Sequence, residues 1–371
     1  MSVSRQRATF WVLTLGVSLF VAADVASAQR PPPRPRTQQA EPEALLTEAE
    51  RAEAARLLPL MDAALSGEGA TDLVASLRWD YLKAQEGQVY VPFTLSLNPE
   101  TISQSVTVYV RLAPAGMVLT PPPAPVPGEP APPVEPPSYP FEDVHFVDMR
   151  PSASGNYVLR RAFAVPAGSY DLYVGIKDSE LVETDSVEVR SGVLKRTVDV
   201  PDLWGGQFTT SSIFVTERVE PIPAPLSPEQ QRSDPYAIGS ARIVPRDVMQ
   251  YEKTDTLSFL LFIYNPQLAE QKPNVTQKLN VTQKPNVTVE YNFHRRTAAS
   301  EEFFNATTPQ TLSAETLPPA FDMAAGHQLS AGQNVPLSAF PEGIYRLEIH
   351  VIDNAAEASI SRNVNFTIIG S

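Results

Sequence analysis

The strongest constraint on the fold is a phrase that the chain contains twice. VPAGSYDLYVGIKD at 165–178 and FPEGIYRLEIHVID at 340–353 share proline, glycine, tyrosine, leucine and aspartate at identical spacing. The match continues upstream in the same order, where SVTVYVRL at 105–112 corresponds to NVTVEYNF at 286–293. Alternating β-branched and aromatic residues in both copies are typical of half-buried strands. The sequence therefore predicts one β-domain design made twice.

Each copy is expected to begin its strand with a defined bend. Gly168 and Gly343 supply backbone angles that other residues resist. Tyr170 and Tyr345 follow two residues later and resemble tyrosine corners, in which the hydroxyl group reaches back to upstream backbone. We therefore interpret these four residues as structural turn residues and not as catalytic or binding residues.

The alignment of the copies also extends downstream of the repeated phrase. It predicts three pairs on the last strand of each copy: Arg196 with Arg362, Val198 with Val364, and Val200 with Phe366.

The fold class follows from a change of periodicity near residue 70. Before it, Thr47 and Glu50 form a capping box ahead of an alanine- and leucine-rich run, which Pro59 interrupts. After it, short β-rich runs are broken by glycine, proline and asparagine, without a sustained helical pattern. The prediction is an all-β protein with two tandem immunoglobulin/fibronectin-III-like β-sandwiches, preceded by a short helical segment.

Proline clusters suggest the domain boundaries, since 37 prolines are concentrated in a few stretches. The predicted segments are a signal peptide at 1–28, a proline-rich disordered tail at 29–43, a helical segment at 44–69, a first sandwich at 70–218 with a proline-rich insertion at 121–137, a proline-rich linker at 219–235, and a second sandwich at 236–371 with a hexapeptide insertion at about 271–284.

The hexapeptide insertion consists of QKPNVT, QKLNVT and QKPNVT in succession. The connection from Asn98 to Val106 in the first copy spans 8 residues, whereas the connection from Asn265 to Val287 spans 22. Six is an even number, so added units leave every later side chain on its original face of the sheet. We interpret the repeats as a duplicated insertion in a surface connection, which lengthens at small entropic cost.

The N-terminus and the composition indicate export. Arg5 and Arg7 precede an apolar run, and Ala26-Ser27-Ala28 offers a cleavage site, as in secretory signal peptides. No later segment is predicted to cross a membrane. The chain has no cysteine and a net charge of −13 without a basic stripe, so nucleic-acid binding and cysteine-based metal or nucleophile chemistry are not expected. We expect a periplasmic or extracellular protein.

Several phrases resemble one bacterial group. LVASLRWDYLKAQEGQVYVPFTLSL, VPDLWGGQFTTSSIFV, FDMAAGHQLSAGQNVPLSAFPEGIYRLEIHVID and the closing NVNFTI resemble tandem β-sandwich regions of exported proteins that carry von Willebrand factor A or GWxTD domains. The resemblance covers about residues 57–370, and the partner domain is missing here. It implies the fold and the export of the chain, and names no catalytic residue.

Candidate chemistry is sparse. Four histidines, His145, His294, His327 and His350, are interpreted as ordinary surface residues because no metal-ligand spacing joins them. Trp204, followed by Gly205-Gly206, could place an exposed ring against a sugar or a protein partner, although capping of a domain edge is the commoner role of such a tryptophan.

Acidic residues and glycan acceptors complete the candidates. The carboxylates of Glu142, Asp143 and Asp148 could hold calcium, although acidic loops are ordinary in so acidic a chain. The Asn-x-Ser/Thr acceptors are Asn274, Asn280, Asn286, Asn305 and Asn365. The bacterial resemblance implies that they carry no glycans.

The functional prediction is an exported, non-catalytic structural or protein-interaction module of the bacterial envelope, with protein partners and no cofactor. A carbohydrate-binding module that uses the Trp204 region is the alternative, and a β-rich hydrolase that uses scattered carboxylates is a weaker third.

Overall fold

A computed structural model describes residues 47–66, 73, 75–117, 137–152, 154–179, 190–269 and 283–370. The predicted signal peptide, the predicted tail, nearly all of the proline-rich insertion and most of the hexapeptides lie outside these residues. The first elements are α1 Glu48–Leu65, β1 Ala75–Trp79, β2 Leu82–Lys83, β3 Val89–Leu97, β4 Ser105–Pro114, β5 Phe141–Asp148, β6 Arg150–Pro151, β7 Tyr157–Val165, β8 Gly168–Asp178 and β9 Ser191–Val200.

The remaining elements follow in chain order. They are β10 Thr209–Thr210, β11 Phe214–Pro221, α2 Pro228–Ser233, β12 Ala237–Ile238, β13 Ala241–Pro245, β14 Gln250–Glu252, β15 Thr256–Tyr264, β16 Leu268–Ala269, β17 Lys284–Pro285, β18 Val287–Arg296, β19 Glu301–Ala306, β20 Gln310–Leu312, β21 Leu329–Pro336, β22 Gly343–Asp353 and β23 Ala358–Ile369. The chain is an all-β protein preceded by a helix, as predicted.

The chain forms two compact units, and the residue segments that make up each unit differ from the predicted domain boundaries. The first unit joins Arg30–Gln207 to Val219–Val248, and the second joins Phe208–Arg218 to Met249–Ser371. In the second unit, Thr209 of β10 pairs with Tyr264 at the end of β15, just as Ala75 of β1 pairs with Leu97 at the end of β3. The first strand of the second sandwich therefore lies inside the segment predicted for the first sandwich.

The first unit is a sandwich of two sheets. Its front sheet has the order β5-β4-β8-β9, and its back sheet has the order β1-β3-β7-β6 with β2 paired to β3. Side chains of alternate residues point between the sheets, and Phe93, Val108, Leu172 and Val174 are completely buried there. The intervening residues of the front sheet form an outer face.

The second unit repeats this plan. Its front sheet has the order β14-β23-β22-β18-β19 with β20 paired to β18, and its back sheet is centred on β15, which pairs with β10, β11 and β21. Aromatic rings fill the core: Phe293 meets Phe340 at 5.1 Å between centroids, and Tyr345 stacks on Phe366 at 5.4 Å.

The central front strands of the two units have the same register. Val106 of β4 lies opposite Asp178 of β8, and Val287 of β18 lies opposite Asp353 of β22. The repeated phrases therefore occupy equivalent strands, with every side chain on the corresponding face.

The predicted alignment of the last strand is wrong by two residues. Val198 lies opposite Tyr170, and the residue opposite Tyr345 is Phe366 and not Val364. A shift of two residues keeps each side chain on the same face of a strand, so the hydrophobic pattern alone does not distinguish the two alignments.

Both helices belong to the first unit. Helix α1 continues through Pro59, where the sequence indicated an interruption, and it begins with the expected capping box of Thr47 and Glu50. Helix α2 lies within the predicted linker and starts at Pro228 after the cap residue Ser227. Within the described part of the chain, neither helix combines the length and the apolar character needed to span a bilayer.

The hexapeptide insertion is closed at its base by a short ladder. Leu268 pairs with Pro285 and Ala269 pairs with Lys284, which joins the two ends of the insertion before β18 begins.

Candidate functional site

The two tyrosine bends have the same hydrogen bond. The hydroxyl group of Tyr170 donates to the carbonyl oxygen of Pro166 at 3.0 Å, and that of Tyr345 donates to the carbonyl oxygen of Pro341 at 2.7 Å. Each bond spans the turn from the back sheet into the front sheet, so its role is to hold that corner in place.

Glycine and burial support these bends. Gly168 and Gly343 have φ angles of +157° and +153°, which residues with a Cβ atom rarely adopt. The ring of Tyr345 is completely buried, and burial raises the pKa of its hydroxyl group. A buried, hydrogen-bonded phenol next to Phe366 is a structural element of the core.

Each repeated phrase ends in a buried carboxylate that holds a neighbouring loop. Asp178 accepts hydrogen bonds from the backbone N–H of Ser103 at 2.9 Å and from its hydroxyl group at 2.7 Å. Asp353 accepts from the N–H of Gln267 at 2.6 Å and from the N–H of Ala355 at 3.0 Å. Both aspartates are almost fully buried, so these contacts satisfy charges that would otherwise be costly.

Trp204 lies in a turn after β9 in the first unit and is 43% exposed. Its indole N–H donates to the carbonyl oxygen of Gln88 at 2.8 Å. The turn itself is held by Asp202, whose Oδ1 accepts the backbone N–H groups of Trp204 and Gly205 at 2.8 and 2.7 Å. The exposed ring is therefore fixed in one orientation.

The neighbouring hairpin adds a cation to the ring. Glu86 and Gly87 both have positive φ angles, as a tight hairpin turn requires. The Nζ atom of Lys83 lies 4.2 Å from the centroid of the Trp204 ring. Burial lowers the pKa of Lys83, and the carboxylate of Asp202 partly offsets this shift. The arrangement presents an aromatic surface with a positive charge on one side.

A second exposed group lies on the outer face of the second unit's front sheet. We call it the front surface, defined by Phe303, Ile344 and Ile369, which are 63%, 52% and 41% exposed. His294 lies opposite Phe303 on one side and opposite Arg346 on the other. Ile344 lies opposite Arg296, and Ile369 is on β23, the other neighbour of β22. These positions alternate with core residues, so the apolar side chains point away from the core.

Ion pairs hold the polar part of the front surface. Glu301 accepts hydrogen bonds from Nε of Arg346 at 2.8 Å and from Nε of Arg296 at 2.5 Å. These two guanidinium groups lower the pKa of Glu301 to about 2. Arg346 also lies 3.4 Å from Glu348, so its guanidinium group is fixed from two sides.

The structure corrects the interpretation of His145 as a surface residue. Its side chain is only 12% exposed, because it lies opposite Val108 of the core strand β4 and points inward. Burial lowers the pKa of His145 to about 4, although the carboxylate of Asp143 lies 3.7 Å away and raises it. The residue is a neutral, buried histidine at neutral pH.

The other histidines have separate partners. His294 is also mostly buried, at 18% exposure, and lies 3.3 Å from Glu348. His350 lies 3.4 Å from Glu290, and Nδ1 of His327 accepts a backbone N–H. Among the described residues, no three acidic, histidine or cysteine side chains come close enough together to hold a metal ion.

The three carboxylates considered for calcium do not converge. Glu142 and Asp148 are separated by most of β5, and Asp143 lies on the opposite face of that strand. Glu142 pairs with Arg111, and Asp148 accepts a hydrogen bond from Ser105. Each carboxylate thus has a different structural contact.

The possible glycan acceptors are distributed between described and undescribed residues. Asn274 and Asn280 lie outside the described ranges, Asn286 precedes β18, and Asn305 and Asn365 are exposed on β19 and β23.

No family model matches the chain, and no curated protein shows significant similarity to it.

Proposed function

We propose that this chain is an exported, non-catalytic structural or protein-interaction module of the bacterial envelope, which acts in the periplasm or outside the cell. The observation that carries the proposal is the front surface, where Phe303, Ile344 and Ile369 are exposed beside ordered arginines. Exposed apolar groups beside arginine are typical of protein interfaces. The signal-like N-terminus supports the exported location.

The geometry of the front surface favours binding at low entropic cost. Arg346 is already held by Glu301 and Glu348, so little side-chain freedom remains to be lost when a partner docks. Phe303 is 63% exposed, and its burial against a partner would contribute about 1–2 kcal/mol. We expect Phe303 to be the residue on which affinity depends most.

Site-specific photo-crosslinking in the native host tests the proposal. A photoreactive amino acid at Phe303 is expected to capture one envelope protein, whereas the same group at Ser330, an exposed residue on the back-sheet strand β21, is not. The captured protein, once purified, is expected to bind the chain directly. Phe303→Glu should weaken this binding about tenfold or more, and Ser330→Glu should leave it unchanged. Equal binding by both variants would contradict the proposal.

A carbohydrate-binding function is the second candidate, and the fixed, exposed ring of Trp204 is the observation that favours it. A glycan panel separates the two candidates. Saturable binding that Trp204→Ala abolishes and Phe303→Ala preserves would support the carbohydrate-binding module. Retention of glycan binding by Trp204→Ala would exclude this ring as the binding surface.

A further inference from the structure

Helix α1 lies on the outer face of the first unit's front sheet. Its buried side chains are Ala54, Leu57, Met61 and Leu65, which recur at helical spacing on one side. Met61 and Leu65 pack in one cluster with Ala113 and Tyr173, which belong to the front strands β4 and β8. The outer face therefore has its own apolar cluster, separate from the core between the sheets.

The sheet has a recess that fits the helix. Gly175 of β8 lies under Met61, and a Cβ atom at this position would be 2.7 Å from the sulfur atom of Met61. Tyr109, Tyr139 and Val193 pack around the same cluster. Because Gly175 has no side chain, Met61 can approach the backbone of β8 closely between the surrounding tyrosines.

Charges on the sheet match charges on the helix. Lys177 and Arg111 are only 7% and 5% exposed, and both pair with carboxylates of α1. Lys177 pairs with Glu53, and Arg111 donates to Asp62 at 2.9 Å. Arg111 also pairs with Glu142 of β5, but a covering helix without carboxylates at the other two positions would bury the cations with fewer partners, so the face favours an acidic helix.

The helix itself has little intrinsic stability. Pro59 lies inside it and removes one backbone hydrogen bond, and no basic residue supports its last turn. Pro59 divides the 18-residue helix into two shorter stretches, and isolated helices that short are marginal in water without tertiary contacts. Its order therefore depends on the sheet beneath it.

The recess is a property of the first unit and not of the shared design. The equal registers make His350 the counterpart of Gly175, Glu348 the counterpart of Tyr173, and His294 the counterpart of Ala113. More polar side chains thus occupy these places in the second unit, and His350 fills the position that Gly175 leaves open in the first. The glycine–tyrosine recess therefore occurs in the unit whose front sheet packs against a helix.

We infer that the outer face of the first unit's front sheet is a helix-binding site, which α1 fills as an exchangeable intramolecular ligand. Its external ligand would be an acidic amphipathic helix of a protein partner, with apolar residues at the spacing of Leu57, Met61 and Leu65. Carboxylates would stand where Glu53 and Asp62 stand in α1. This surface is distinct from the front surface of the second unit, so its test is independent of the function proposed above.

Binding in trans tests the inference with the full chain. The double variant Leu57→Asp/Met61→Asp replaces two buried side chains of α1, so α1 is expected to leave its recess while the sandwiches remain folded. A fluorescent peptide with the natural sequence of residues 44–66 should then bind this variant saturably. The affinity of a peptide that carries Met61→Asp should be lower than that of the natural peptide by a factor of about ten or more.

A filled recess provides the matched control. Adding Gly175→Leu to the double variant should abolish peptide binding, because the new side chain would occupy the position of the Met61 sulfur atom. Circular dichroism would verify that both chains retain their β-structure. Absence of saturable binding to the folded double variant would overturn the inference. Dimers of the natural chain that Gly175→Leu prevents would make a second copy the occupant and overturn the assignment to a separate partner.

Hydrogen exchange on the natural chain gives a second test that requires no substitution. If α1 is exchangeable, its amide protons should exchange faster than those of β8, because the helix opens without unfolding of the sheet. Equal exchange rates in α1 and β8 would show that the helix opens only when the whole unit unfolds, and would overturn the inference.

Discussion

The hydroxyl group of Tyr345 lies 2.7 Å from the carbonyl oxygen of Pro341 and donates a hydrogen bond to it. Tyr170 makes the same contact with Pro166 at 3.0 Å, but Tyr345 is completely buried whereas Tyr170 is partly exposed. A hydrogen bond shielded from water contributes more to stability than one that water can replace. The two equivalent bends should therefore differ in their energetic importance.

Tyr345→Phe is expected to lower the free energy of unfolding by about 1–2 kcal/mol, because it removes the donor and leaves the proline carbonyl without its partner. Tyr170→Phe should cost less than about 1 kcal/mol, since water can replace its hydroxyl group. Urea unfolding of the two variants measures both values. A larger loss in Tyr170→Phe would contradict this reasoning.

Gly332→Ala is expected to destabilise the second unit by about 3 kcal/mol. A Cβ atom at this position would lie 2.3 Å from the carbonyl oxygen of Phe259 and 2.9 Å from the Cα atom of Leu260. Both are backbone atoms of the paired strand β15, which cannot move without disturbing the ladder with β21. Thermal unfolding measures the loss. Ser330→Ala, at an exposed position on the same strand, should change stability by less than about 0.5 kcal/mol.

Asp353→Ala is expected to destabilise the second unit by about 3 kcal/mol or more. The substitution removes the acceptor for the N–H groups of Gln267 and Ala355 inside a completely buried site. Denaturant unfolding provides the measurement. The neighbouring Asn354→Ala, at an exposed position, should cost much less, and equal losses would show that the carboxylate is not the main anchor of this loop.

The stability of the first unit should fall as the pH decreases from 6.5 towards 4. Burial lowers the pKa of His145 from 6.5 to about 4 in the folded chain, so between these values the unfolded chain binds a proton that the folded chain does not. The contribution of His145 to stability is therefore present above pH 6.5 and is lost on acidification, by at most about 3 kcal/mol.

The difference between the natural chain and His145→Gln isolates this contribution, because all other titrating groups are common to both. Urea unfolding at several pH values should show a smaller decrease for His145→Gln than for the natural chain. Parallel curves would mean that His145 does not set the acid sensitivity.

The sequence predicted correctly those structural features that depend on a local, repeated pattern of residues. The spacing of Gly168 and Tyr170, matched by Gly343 and Tyr345, predicts equivalent strands, and the register opposite Asp178 and Asp353 agrees with it. The fold class was predictable for the same reason, since alternation within a strand depends on nearby residues only.

Features that depend on distant residues were not predictable. Phe208–Arg218 reads as the end of one domain because it follows β9 directly, and only its pairing with β15 places it in the second unit. The inward position of His145 depends on its pairing with Val108. The front surface was missed because Phe303 and Ile344 lie on different strands, and only the sheet brings them to one face.

The chain leaves the first unit after Gln207, returns to it at Val219, and leaves it again after Val248. Translation thus produces Phe208–Arg218 of the second unit before Val219–Val248, the last segment of the first unit. For the same reason, no single proteolytic cut separates the two units with all of their segments.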